Sequence, residues 1–505
     1  MKYLFILFSA GLLATTSAFA NERKLDAESS VVTEHRTTVK GESFSYTATA
    51  GTQPVWDKDG EVIASLFYTY YQRNEIKNRE NRPLIISFNG GPGSASVWMH
   101  IAYTGPRILN VDSEGYPLQP YGVKSNPYSV LDDADIVFVN PVNTGYSRMI
   151  EAEETEEDDK EGKSKEEMRE QFFGVNADIK YLAEWLNTFV TRNNRWRSPK
   201  YLIGESYGTT RVSGLALELQ NAQWMYLNGV ILVSPTGLGL ERDGPVVAAN
   251  RLPYFTAAAW YHNVLTDELQ SRDLDEILPL AEDFAVNELM PALAKGGFID
   301  PGERQQIAAK MADLSGLSEK SILQHNLDVP SSFFWKELLR DQSYTVGRLD
   351  SRYLGIDVKD AGDGPDYNAE LSSWLHSFTP AINFYLREEL NYITDIKYNM
   401  FGEVHPWNRD DDNTGRNLRL AMAENPYLKV MIQSGLYDGA TNYFDAKYTM
   451  WQLDPSGKMK QRLRFEGYRS GHMMYLRSED LDAANEHIRE FIKTTLPDSA
   501  QPAKY

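Results

Sequence analysis

Five residues constrain this chain more than any others: Gly204-Glu205-Ser206-Tyr207-Gly208, which fit the pattern G-x-S-x-G. They lie between Tyr201–Ile203, a short apolar run that reads as a strand, and Thr210–Leu219, which reads as a helix. A serine at the apex of a strand–turn–helix unit sits on a strained turn, and a Cβ at either flanking glycine would clash there. Chance alone supplies the pattern in roughly one chain in six of this length, given ordinary Gly and Ser usage. The position between strand and helix is what gives it weight.

The surroundings repeat the same alternation. Pro83–Phe88, Asp135–Val139, Tyr201–Ile203, Val230–Val233 and Lys429–Gln433 are short and mostly apolar throughout, as strands covered on both faces are. They predict an α/β fold with a mixed, mostly parallel sheet and helices on both faces. Residues 241–400 differ. Helix-period stretches such as Leu265–Leu280 and Gln305–Leu314 dominate there, broken by Gly and Pro. The expected organisation is a first core part over 21–240, a mainly helical cap insertion over 241–400, and a second core part over 401–505.

Acyl transfer needs backbone N–H donors at the developing oxyanion, one just after the nucleophile and one from a loop after an earlier strand. Asn89-Gly90-Gly91-Pro92-Gly93 follows the strand Pro83–Phe88 directly, so the expected donors are the N–H groups of Gly91 and Tyr207. A serine also needs a base and an orienting acid, which in this topology follow it in the order acid, then His. Asp438 comes just after the run Lys429–Gln433, where open sheets gather their functional groups. His472 stands in Ser470-Gly471-His472-Met473-Met474, after the β-like run Arg462–Phe465. His262 and His376 fall in the helical region and His487 in a terminal helix, where a lone histidine is usually structural. Ser206, Asp438 and His472 are therefore the expected catalytic set.

Bulk properties narrow the classes. The 71 acidic side chains outnumber the 51 basic ones, with no basic stripe, which excludes a nucleic-acid surface. There is no cysteine, so thiol nucleophiles and thiolate metal sites are excluded. No histidine pair has ligand spacing, and neither a metal nor a cofactor is expected. Lys2, the apolar stretch Leu4–Ala14 and Ala18-Phe19-Ala20 read as a cleaved signal peptide over 1–20. Export to a periplasm or the medium is expected, without stable membrane insertion after cleavage. The acidic tract 151–166 reads as a solvated loop.

Several segments together resemble the serine carboxypeptidase family, in particular its bacterial branch. They are Asn89–Gly93, Gly204–Tyr207, Asp438, Gly471–Met473, Asn126-Pro127-Tyr128-Ser129 and Thr144-Gly145-Tyr146-Ser147. Ala259-Trp260-Tyr261-His262 and Gly347-Arg348-Leu349-Asp350-Ser351-Arg352 are similar to stretches shared among bacterial members. The resemblance implies an α/β-hydrolase fold and release of C-terminal residues from peptide substrates through an acyl-enzyme. It implies that Asn89, Gly90 and Glu205 hold the substrate's terminal carboxylate, Glu205 in protonated form with a pKa raised by desolvation. The family usually places a second glutamate two residues before a Gly-Pro pair, whereas here Tyr103 precedes Thr104-Gly105-Pro106. A phenol stays protonated to about pH 10. Tyr103 is thus expected to donate to the carboxylate, with a less acidic pH optimum than is usual for the family. An esterase or acyltransferase of the same fold is the alternative, and a non-catalytic binding protein a more distant one.

Overall fold

Ten strands form one central sheet among the residues described by this computed structural model, which are 25–150, 165–240, 242–496 and 504. The expected signal peptide and nearly all of the tract 151–166 lie outside them. We number the nine longer strands β1 (Ser29–Val39), β2 (Glu42–Trp56), β3 (Val62–Arg73), β4 (Leu84–Phe88), β5 (Asp135–Val139), β6 (Lys200–Glu205), β7 (Gly229–Val233), β8 (Lys429–Gly435) and β9 (Leu463–Tyr468). Their order across the sheet is β1-β2-β3-β5-β4-β6-β7-β8-β9, with the two-residue strand Arg148–Met149 paired to β3. From β5 to β9 every neighbouring pair is parallel, while β1, β2, β3 and β5 pair antiparallel.

The central strands β4 to β7 are buried along their whole length, which is why their sequences carry no polar alternation. β1 is an edge strand, and its residues alternate between exposed and covered along SSVVTEHRTTV. A pattern of continuous apolar runs finds the parallel strands and passes over β1, β2 and β3, which belong to an antiparallel ladder rich in Thr, Ser and Tyr.

Helices cover both faces. One face packs against α1 (Val175–Arg192), α2 (Tyr207–Asn221) and α3 (Thr414–Glu424), with Trp185, Leu186, Leu215 and Leu418 in its core. The other carries α4 (Ser478–Thr495), whose Ile488 and Phe491 meet Ile203, Ile231 and Met431 from the sheet. Between β7 and β8 the described residues form mainly helices, among them Leu252–Tyr261, Pro301–Ser315 and Ala369–Phe384. Residues from Ala249 to Val346 have a hydrophobic cluster of their own. The helical pattern over Leu265–Leu280 resolves into two helices, Asp267–Gln270 and Leu274–Phe284. The break has a local cause: the Asp273 side chain accepts from the N–H of Asp275 and caps the second helix.

Candidate active site

Ser206 terminates β6 and caps α2 with φ 57° and ψ −126°, a conformation that costs about 1–3 kcal/mol for a residue with a side chain. The cost is met by fixed neighbours. Ser206 N–H donates to Val233 O at 2.9 Å, and Thr209 donates to Ser206 O through its N–H at 2.9 Å and its hydroxyl at 2.6 Å. A Cβ on Gly204 would lie 2.2 Å from Gly208 O, and one on Gly208 would lie 2.8 Å from Phe88 O. Both glycines of the motif are therefore required by space.

The glycine-rich loop after β4 touches this turn. A Cβ on Gly90 would come within 2.5 Å of Tyr207 N and 2.7 Å of Glu205 O. Gly91, at φ 103°, is exposed. Tyr207 N–H belongs to the first turn of α2, where no intrahelical acceptor exists. Beneath the loop, the buried Arg211 donates to Asn89 O at 2.6 Å, and its Nε pairs with Asp178 at 2.7 Å. That pair pins the loop to α1 and α2.

Asp438 and His472 come together from the carboxyl ends of β8 and β9. His472 Nδ1 donates to Asp438 Oδ2 at 2.7 Å, leaving Nε2 as the free ring nitrogen, 4.0 Å from Glu205 Oε1. The Asp438 carboxylate is fully engaged. Its Oδ1 accepts from the N–H groups of Ala440 at 2.8 Å and Thr441 at 3.1 Å, and its Oδ2 accepts from the Thr441 hydroxyl at 2.7 Å. Burial opposes a charge on His472, but the adjacent Asp438 carboxylate outweighs it, and the imidazole's pKa is raised. Ser206 Oγ has no hydrogen bond to His472 among the described contacts. In the absence of substrate such bonds are often long.

Glu205 lies buried beside the serine with its pKa pushed up to about 7, chiefly by desolvation, while His472 and the Tyr475 hydroxyl pull the other way. Tyr475 OH donates to Glu205 Oε2. Asn89 anchors its Oδ1 on Met99 N–H at 3.1 Å. Its Nδ2, buried and close enough to favour the charged form of Glu205, forms no hydrogen bond of ordinary geometry.

Tyr103 is placed otherwise than expected. It is fully buried, its hydroxyl donates to Gln433 Oε1 at 2.7 Å, and its ring stacks on Tyr475 with centroids 4.6 Å apart. With its one donor already spent, it is not the group that meets a substrate carboxylate. Tyr475 takes the place beside Glu205 instead. The other histidines are engaged elsewhere: His262 with Ser351 O, His376 with Ser372 O, and His487 with Tyr468 OH.

A strap from the helical region, Gly347–Arg352, closes around acid and base. Leu349 O accepts from His472 N–H at 2.7 Å, and Arg348 O accepts from Gly439 N–H at 3.0 Å. Ser351 donates to Tyr437 O through both its N–H and its hydroxyl, each at 3.0 Å. The strap is singled out in the sequence without a role, whereas Thr441 and Tyr475 are the parts that motif reading missed. Only Thr441 left a local signal, standing three residues after Asp438 as a side chain able to close a turn.

The fold is the α/β-hydrolase fold. The architecture matches the solved structure of the prohormone-processing carboxypeptidase of Saccharomyces cerevisiae, with a TM-score of 0.53 at 14% identity, over 88% of this chain and 91% of that one. Residues 47–277 match the model of the serine carboxypeptidase family. Similar sequences include serine carboxypeptidase-like 36 of Arabidopsis thaliana, 30% identical over 34% of this chain and 32% of that protein. Vitellogenic carboxypeptidase of Aedes aegypti is 28% identical over 33% of this chain and 30% of its own length. The chain thus spans about a third of the length of the curated relatives it matches. Among the described residues no helix is long and apolar enough to cross a membrane.

Proposed function

We propose that this protein is an exported serine carboxypeptidase that removes C-terminal residues from peptides through an acyl-enzyme. The observation that carries the reading is the group beside Ser206: a buried Glu205 with its pKa pushed up to about 7, capped by Tyr475, next to an unpartnered Asn89 Nδ2. A simple esterase has no use for a protonated carboxyl and a spare amide at that point. A free peptide carboxylate needs both as donors.

In this reading Ser206 Oγ attacks the scissile carbonyl and passes its proton to His472 Nε2. Asp438 holds the Nδ1–H tautomer and stabilises the imidazolium that forms. The N–H groups of Gly91 and Tyr207 receive the oxyanion. His472 then returns the proton to the leaving amine, and water repeats the sequence on the acyl-enzyme. Asn89, the Gly90 backbone and protonated Glu205 bind the terminal carboxylate. The helices over 241–400 act as a cap whose surface selects side chains. The expectation of a less acidic optimum rests on Glu205 itself, whose pKa desolvation pushes up to about 7. Export rests on the leader-like residues 1–20.

The test compares peptides ending in a free acid with the same peptides as amides, reading released residues by mass spectrometry. Strong preference for the acid is expected, with loss of both hydrolysis and fluorophosphonate labelling in Ser206→Ala. Equal cleavage of acid and amide would instead favour an esterase or endopeptidase.

A further inference from the structure

Gly347–Arg352 is held from every side except at one residue. Gly347 N–H donates to Tyr353 O at 2.9 Å and Leu349 N–H to Glu370 Oε1 at 2.8 Å. Asp350 is closed off by Arg352 at 2.6 Å. Arg352 in turn donates to Glu114 O at 3.1 Å. A Cβ on Gly471 would lie 2.4 Å from Asp350 Cβ, so the strap packs directly on the turn that carries His472. Within this frame Arg348 has its carbonyl tied to Gly439 and its side chain exposed, with no hydrogen bond or ion pair among the described residues.

We propose that Arg348 recognises an acidic side chain on one of the two substrate residues flanking the bond that is cut. The inference rests on the carboxypeptidase reading above and extends it to specificity. Two arguments support it. The nearby carboxylates do not neutralise the guanidinium: Asp350 is spent on Arg352, and Glu370, though it feels the Arg348 charge, sits in a burial that pushes its pKa up to about 7 and favours its neutral form. The Arg348 charge also reaches His472, where it disfavours the imidazolium. A bare cation whose charge is felt by a base that must become cationic during the reaction opposes turnover. A substrate carboxylate seated on the guanidinium removes that opposition, and the planar fork of arginine fits it through two parallel N–H donors. The terminal carboxylate is accounted for by Asn89, Gly90 and Glu205, which leaves a side-chain carboxylate as the partner.

The test uses binding to the Ser206→Ala protein, measured by calorimetry, for two pairs of free-acid peptides. One pair differs by Glu against Gln at the last residue, the other by Glu against Gln at the residue before it. Tighter binding of the Glu peptide, roughly tenfold in one of the two pairs, is expected at low salt and shrinks as salt is added. Adding Arg348→Gln abolishes the preference, and Arg348→Glu reverses it. A Glu-to-Gln ratio near one in both pairs, or one that survives both substitutions, overturns the proposal. Were Arg348 gripping the terminal carboxylate instead, all four peptides would weaken together and the ratio would stay put, which also counts against it. Hydrolysis of the Gln peptides by the unsubstituted chain is a separate readout, and its absence would sink the carboxypeptidase reading alone.

Discussion

A carboxyl packed beneath a phenol and 4.0 Å from an imidazole answers to three opposing influences. Desolvation holds the proton on Glu205 and prevails, while Tyr475 and His472 favour its loss. With the pKa at about 7, activity on free-acid peptides should fall as pH rises through that value. It should fall on the acid side as His472, raised above its ordinary value, takes up a proton. The two steps belong to the coupled pair rather than to either residue. Tyr475→Phe removes a donor that stabilises the carboxylate, so the alkaline limb of kcat/KM should move to higher pH, by up to about one unit. An unchanged limb would mean that Glu205 does not control it. An ester substrate without a free carboxylate should lack that limb. Tyr103 shows what a motif can and cannot convey at this scale. Its place before Gly105-Pro106 was readable, yet position on the chain does not fix where a hydroxyl points, and Gln433 claims this one.

At the scale of elements, the site is a contact between two turns, the one after β4 and the one after β6. Gly90 is where they meet. Gly90→Ala would drive a methyl against Tyr207 N and Glu205 O and push the donor loop away from the serine. We expect kcat to fall about 100-fold or more, as for loss of one oxyanion donor. KM should change less, and the protein should still label with fluorophosphonate, though slowly. Wild-type kcat in that variant would mean the loop supplies no donor. The elements that position this contact were legible because burial on both faces leaves a plain signature: β4 to β8 are short apolar runs, and Ser206, Asp438 and His472 follow such runs. β1, β2 and β3 were not legible by that rule: one-sided burial mixes Thr, Ser and Glu into β1, and β2 and β3 carry polar residues such as Ser65, Thr69 and Tyr70 even where both faces are covered. Tyr475 was hidden for another reason. A tyrosine three residues after His472, in a run of Met and Leu, looks like core, and its ring does pack on Tyr103 in the core.

For the whole molecule, two buried glutamates tie stability to pH. Glu205 and Glu370 have pKa values pushed up to about 7 on folding, against an ordinary 4.5. A carboxyl raised on folding keeps more protons in the native state between those values, so its contribution is present at low pH and lost as pH rises toward 7. Glu370→Gln keeps an oxygen for Leu349 N–H and removes one such group. Its Tm should exceed that of the parent by a few degrees at pH 8 and by less at pH 5, by calorimetry at matched ionic strength. A constant offset would assign the effect to packing. The strap next to Glu370 has a further consequence for the molecule's history. Because Arg348 and Leu349 lend their carbonyls to the loops of Asp438 and His472, the helical region is bonded to those loops and, on the proposed function, cannot be traded as a module. A chimera that imports foreign helices between β7 and β8 must carry Gly347–Arg352 with them or lose its acid and base. Divergence in specificity is thereby channelled to the outward-facing side chains of a segment whose backbone is not free to move.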